Sequence, residues 1–89
     1  MEFAAYLAMV GEVFGEHRGG AMLSPEDCEL LHMWYQAGVP VRAVLQGIDA
    51  ARDEWRAQRR WPRFINRLSF CERHVLRATE RIVRARTGA

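Results

Sequence analysis

The sequence predicts an all-α fold: a single small domain, residues 1–89, of four to five helices around a central helical hairpin. Three observations predict it. Apolar residues recur at helical spacing over several stretches and alternate nowhere. No Asn-Gly turn marks a pair of strands, and β-branched runs are few. The stretch from Ser24 to Ile48, SPEDCELLHMWYQAGVPVRAVLQGI, carries start, stop and restart signals for two successive helices. A chain of 89 residues has material for one core, not two.

Residues 2–17 read as the first helix, with Phe3, Leu7, Val10 and Phe14 forming a stripe flanked by Tyr6, Met9 and Val13. Gly15, Gly19 and Gly20 weaken its end and make a loop. The second helix, Pro25 to Ala37, has Ser24 as N-cap and Pro25 at the first helical position, where its missing N–H is harmless. Glu26 and Asp27 set negative charge at the positive end of the helix dipole. Leu30, Leu31, Trp34 and Tyr35 supply its apolar face. Gly38 is placed to end this helix in the left-handed conformation, with Val39 as the apolar residue just beyond. Pro40 cannot extend that helix but opens the next, which runs to about Gln58 on Val41, Val44, Leu45, Ile48, Ala51, Arg52 and Trp55. Gly47 inside it is either a small cost or a point of close helix approach. Arg59, Arg60, Trp61 and Pro62 interrupt the period. A fourth helix begins at Arg63. It either restarts at a Ser69–Glu72 capping box as a fifth or runs unbroken to about Arg86.

No apolar run approaches the roughly 20 residues a bilayer requires. The segment Met1–Val13 lacks the basic start of a signal peptide. These features point to a cytoplasmic protein with no membrane partner, and Cys28 and Cys71 read as small reduced residues rather than a disulfide framework. The net charge of +2 hides a split: residues 1–50 carry −5 and residues 51–89 carry +7. Such asymmetry points to an anion meeting the C-terminal half, or to attraction between halves or copies.

The C-terminal stripe is the strongest candidate site. On one helix over residues 63–84, Arg63, Arg67, His74, Arg77, Arg81 and Arg84 share an arc of about 100°. Ile65, Leu68, Val75, Leu76, Ile82 and Val83 then face the core. A basic ridge of this kind meets phosphates, although an ordinary solvated helix face has the same pattern. Trp55, Trp61 and Phe64 lie among Arg52, Arg56, Arg59, Arg60 and Arg63, an arrangement able to stack the bases of a single strand. Core packing explains most of these rings better, with Trp61 the exception at a helix break. The candidate nucleic-acid-binding set is therefore Arg59, Arg60, Trp61, Arg63, Arg67, His74, Arg77, Arg81 and Arg84.

Other chemistry is poorly supported. A DNA-reading helix-turn-helix at the Gly38 corner needs a small residue where Trp34 stands, so a plain helical hairpin fits better. Cys28 with His32 and Cys71 with His74 have zinc-like spacings, but nothing in the sequence brings the pairs together. No catalytic constellation or phosphate loop is readable, and no metal or cofactor is expected. The reading is a non-enzymatic nucleic-acid-binding module. The alternative is a protein–protein adaptor, including a homodimer that sets the acidic half of one copy on the basic half of another.

The stretch LSPEDCELLHMWYQAGVPVRAVLQGIDAARDEWRAQRRWPRFINRL resembles the C-terminal helical domain of DnaD-like primosomal replication proteins. The parallels are Trp34, Gly38, Val44 to Ile48, Phe64, Ile65 and Leu68, over about half the chain. The resemblance implies a DNA-binding helical domain with an aromatic-x-x-x-Ile-x-x-x-Trp element. Trp61 and Ile65 match its first two positions, and Ser69 stands at the third beside Phe70.

The corner generates a test. Gly38→Val is expected to destabilise the fold by more than about 1 kcal/mol, because a β-branched side chain is poorly tolerated at positive φ. Chemical denaturation with an unchanged midpoint would show that Gly38 is not the left-handed cap.

Overall fold

The computed structural model describes residues 1–17, 23–61 and 65–87. Among them the protein is all-α, with four helices: α1 Phe3–His17, α2 Pro25–Gln36, α3 Val41–Ala57 and α4 Glu72–Arg86. A 3₁₀ turn, Leu68–Cys71, leads directly into α4. The helices form one small domain with Cα extents of 40 × 29 × 17 Å, so the molecule is a slab about two helix layers thick.

The α2–α3 corner is built as its sequence signals require. Ser24 caps α2 with a full capping box: its Oγ accepts from the Asp27 N–H, and Asp27 accepts in return from the Ser24 N–H. At the other end Gly38 stands at φ 82°. Its N–H donates to the Tyr35 carbonyl, and the Val39 N–H reaches back to that of Trp34, the paired bonds of a Schellman ending. Val39 is buried beyond the turn. Tyr6 ties α1 to this corner by donating its hydroxyl to the Val39 carbonyl at 3.0 Å. Trp34 is buried in the core at this corner.

Each helix contributes a stripe to the core. From α1 come Tyr6, Val10 and Phe14, with Phe3 and Leu7 half-buried, so Tyr6 lies at the centre of its stripe and not on its flank. Leu31 and Trp34 come from α2, and Val75, Ala78 and Ile82 from α4. A second aromatic layer joins α1 to α2: Phe3 meets His32 and Tyr35 edge-on, and Tyr6 meets Tyr35 edge-on. α3 packs most extensively on α4, and along that contact it offers Ala43, Gly47 and Ala51, all buried. A Cβ placed on Gly47 would stand 2.6 Å from the Val75 backbone nitrogen and 2.7 Å from its Cα. Gly47 is thus a point of close approach, and α4 settles into a trough of small residues.

One sequence expectation fails here. Residues 65–67 are not helical, Arg67 being extended, and α4 begins only at Glu72, so no helix spans 63–84. Nor does a Ser69–Glu72 capping box form; Cys71 is the N-cap and makes no side-chain bond. The physical cause is Asp27. This carboxylate is buried, and its Oδ1 accepts the Leu68 N–H at 3.0 Å. A continuous helix would send that N–H to a carbonyl one turn earlier. Leu76 and Val83 also depart from expectation: they are 47% and 48% exposed, not part of the core face.

Gly47→Ala is expected to destabilise the domain by about 1–3 kcal/mol, because overpacking against the α4 backbone outweighs the roughly 1 kcal/mol gained in helix propensity. A denaturation midpoint equal to or above that of the parent chain would disprove the close approach.

Two buried acids predict alkaline weakness. Burial pushes the Tyr6 hydroxyl from 10.0 up to about 12. Burial, with the charge of Asp27 nearby, pushes the Cys71 thiol from 9.0 up to about 12. Both groups stay protonated in the fold after the unfolded chain would have released them. Their contribution is therefore complete below 9.0 and is lost as pH climbs toward about 12. Melting temperature should begin to fall above pH 9.0, and in Cys71→Ala the onset should move toward 10.0. A profile flat through this range would contradict the burial of both groups.

Candidate nucleic-acid interface

The basic residues gather in two places, one at the C-terminal end of α3 and one on the outer face of α4. The first arises from how α3 stops. Arg59 takes φ 51°, the position that Gly38 fills at the end of α2. Its N–H donates to the Arg56 carbonyl, and the Arg60 N–H approaches that of Trp55 at 3.5 Å. The ending has the same Schellman form but carries arginine where glycine is easiest, at a cost of about 1–2 kcal/mol. It swings Arg60 back over α3, where the guanidinium carbon lies 4.2 Å from the centroid of the Trp55 ring. Trp55 is buried and also packs on Phe70, with centroids 5.4 Å apart. Trp61 follows, 84% exposed. Trp55, Arg56, Arg59, Arg60 and Trp61 line an open depression of about 640 Å³, within the size range of small-molecule clefts.

The second place is α4. Arg77, Arg81 and Arg84 are exposed and, at 100° per residue, lie within about 60° of one another. Among the described residues none of the three pairs with a carboxylate. Antiparallel packing on α3 brings Arg42 and Gln46 beside Arg81 and Arg86, across a hollow floored by Ile82 and Ala85. Arg42 and Arg86 thus join this basic surface, though the stripe reading missed them. Their signal was Gly47, whose contact with Val75 fixes which residues of the two helices lie level.

Between the two places the charge is cancelled from within. Glu54 of α3 accepts from Arg73 Nη2 at 2.8 Å on each of its oxygens, and its Oε2 also bonds His74 Nε2. The hydrogen bonds from Arg73, then from His74, hold the Glu54 carboxyl below the usual carboxylate range. His74 is therefore turned to α3 and is not part of the ridge. Arg67, itself extended, is exposed but off the helix, so it too leaves the expected stripe. Arg63 and Phe64 lie outside the described residues. Arg59, Arg60 and Trp61 are brought together as the sequence suggested, and so are Arg77, Arg81 and Arg84.

His32 stacks edge-on against Phe3, Cys71 is buried, and His74 serves Glu54. Among the described residues no three of His, Cys, Asp and Glu are grouped to hold a metal ion. Of the positions matching the DnaD-like element, Trp61 is exposed, Ile65 is buried in the core, and Ser69 lies in the 3₁₀ turn. No helix among the described residues is long and apolar enough to cross a membrane.

No curated protein and no solved structure matches the chain. A family model described as "Uncharacterised protein" matches residues 5–89, nearly the whole length, and the chain belongs to that family.

Proposed function

We propose that this domain is a small, non-enzymatic, cytoplasmic nucleic-acid-binding module that meets phosphates with the outer face of α4. One observation carries the reading: Arg77, Arg81 and Arg84 are exposed on one face, with Arg42 and Arg86 beside them, and no described carboxylate neutralises the three. Other arginines of the C-terminal half have internal work. Arg52 pairs with Asp49, Arg73 with Glu54, and Arg60 stacks on Trp55. The ridge is the group of exposed arginines left on one helix face for an external anion. The corner at Trp61, Arg59 and Arg60 supplies a second contact, where an unpaired base stacks on an open indole.

Arg77 and Arg81, one turn apart on an open helix face, are assigned to phosphate rather than to bases. The double change Arg77→Ala plus Arg81→Ala should weaken binding similarly on all sequences. It should also flatten the dependence of log K on log salt by about 0.9 per lost contact on duplex DNA. Folding should hardly change, because both side chains lie outside the core. Anisotropy titrations over a salt series measure this directly. Absence of any DNA or RNA affinity at about 50 mM salt would overturn the reading.

A further inference from the structure

α4 has a third face, distinct from its core stripe and, apart from Arg86 at its end, from the basic surface. Glu72, Leu76, Thr79, Val83 and Arg86 follow one another at intervals of four and three residues and lie within an arc of about 80°. Leu76 is 47% exposed and Val83 48%, while Glu72 and Arg86 are exposed at the two ends. α4 rests on α3 and the 3₁₀ turn along a different side, so this seam has no cover among the described residues.

We propose that the seam pairs with the same seam of a second copy, the two α4 helices running antiparallel about a two-fold axis at Thr79. The order of residues argues for this occupant. Reversal about Thr79 sets Glu72 opposite Arg86 of the second copy and Thr79 opposite its Thr79, with Leu76 within one residue, about 1.5 Å along the axis, of level with its Val83. Both ends then join unlike charges, and the middle joins apolar side chains. A parallel pair would instead oppose acid to acid and arginine to arginine. Antiparallel helices also bring opposite dipole ends together. The Thr79 hydroxyl already donates to the Val75 carbonyl at 2.8 Å, so it demands no partner across the axis. Arg73, the next cation round the helix, is held by Glu54 and leaves no bare charge facing Arg86 of the other copy. The seam is only about 20 Å long at 1.5 Å per residue. Pairing is therefore reversible and concentration-dependent.

Sedimentation of the whole chain from micromolar to millimolar concentration should show a monomer–dimer equilibrium. Val83→Glu should raise the dissociation constant by about tenfold or more, with its circular dichroism unchanged because Val83 is half-exposed. A second arm tests the register. In a Cys28→Ser background, Thr79→Cys sits on the axis and should cross-link to itself under mild oxidation. Arg84→Cys, on the ridge, should not. A chain monomeric throughout, a dimer indifferent to Val83→Glu, or cross-linking as fast at Arg84→Cys as at Thr79→Cys would each overturn the proposal.

Discussion

The arrangement of this domain depends on the missing side chain at Gly47. With no Cβ there, the α4 backbone comes within van der Waals reach of α3 at Val75. That contact fixes the register of the two helices, and the register then places everything charged. Glu54 falls level with Arg73 and His74 at one end, and Arg42 with Arg81 and Arg86 at the other. Any larger residue at position 47 would lift α4 and uncouple all of these together. Ala43 and Ala51, one turn to either side, keep the trough narrow in the same way.

Two polar bonds inside the slab do for the other helices what Gly47 does for α4. The Tyr6 hydroxyl holds α1 to the Val39 carbonyl just past the corner. The Asp27 carboxylate joins the first turn of α2 to the Leu68 N–H, an interaction across 41 positions of sequence. A buried carboxylate is costly unless it is hydrogen-bonded. Asp27 meets that condition by serving both its own cap and the segment that leads into α4. A single side chain thereby sets where α2 starts and where the last helix cannot yet start.

What was legible in the sequence was local. Ser24, Pro25, Gly38 and Pro40 each act through their own backbone, so the corner could be read from composition and order. The core stripes of α2 and α3 followed from period alone, and the exposure of Trp61 from its place at a helix break. What was not legible needed a second element. Asp27 read as a dipole charge because Leu68 lies far along the chain. His74 fell on the ridge by angle, yet Glu54 claims it from α3. Gly47 left two readings open until its partner, Val75, was known. The Arg59 ending was hidden for a different reason: the left-handed position is normally announced by glycine, and here it is not. Leu76 and Val83 fitted an inner face only on the assumption that α4 is covered on more than one side.

That one-sided cover has a dynamic consequence. Among the described residues, α4 and the 3₁₀ turn before it are held chiefly by α3 and by the Asp27 bond. Segments attached along a single seam open as units, at a free energy below that of global unfolding. The amides of α4 should therefore exchange with solvent together, as one unit. Each opening would lay bare the smooth trough of Ala43, Gly47 and Ala51, leaving a three-helix remnant with an unfilled groove. Whatever rests on the outer face of α4 acts from the far side as a clasp, slowing that exchange without touching the trough itself.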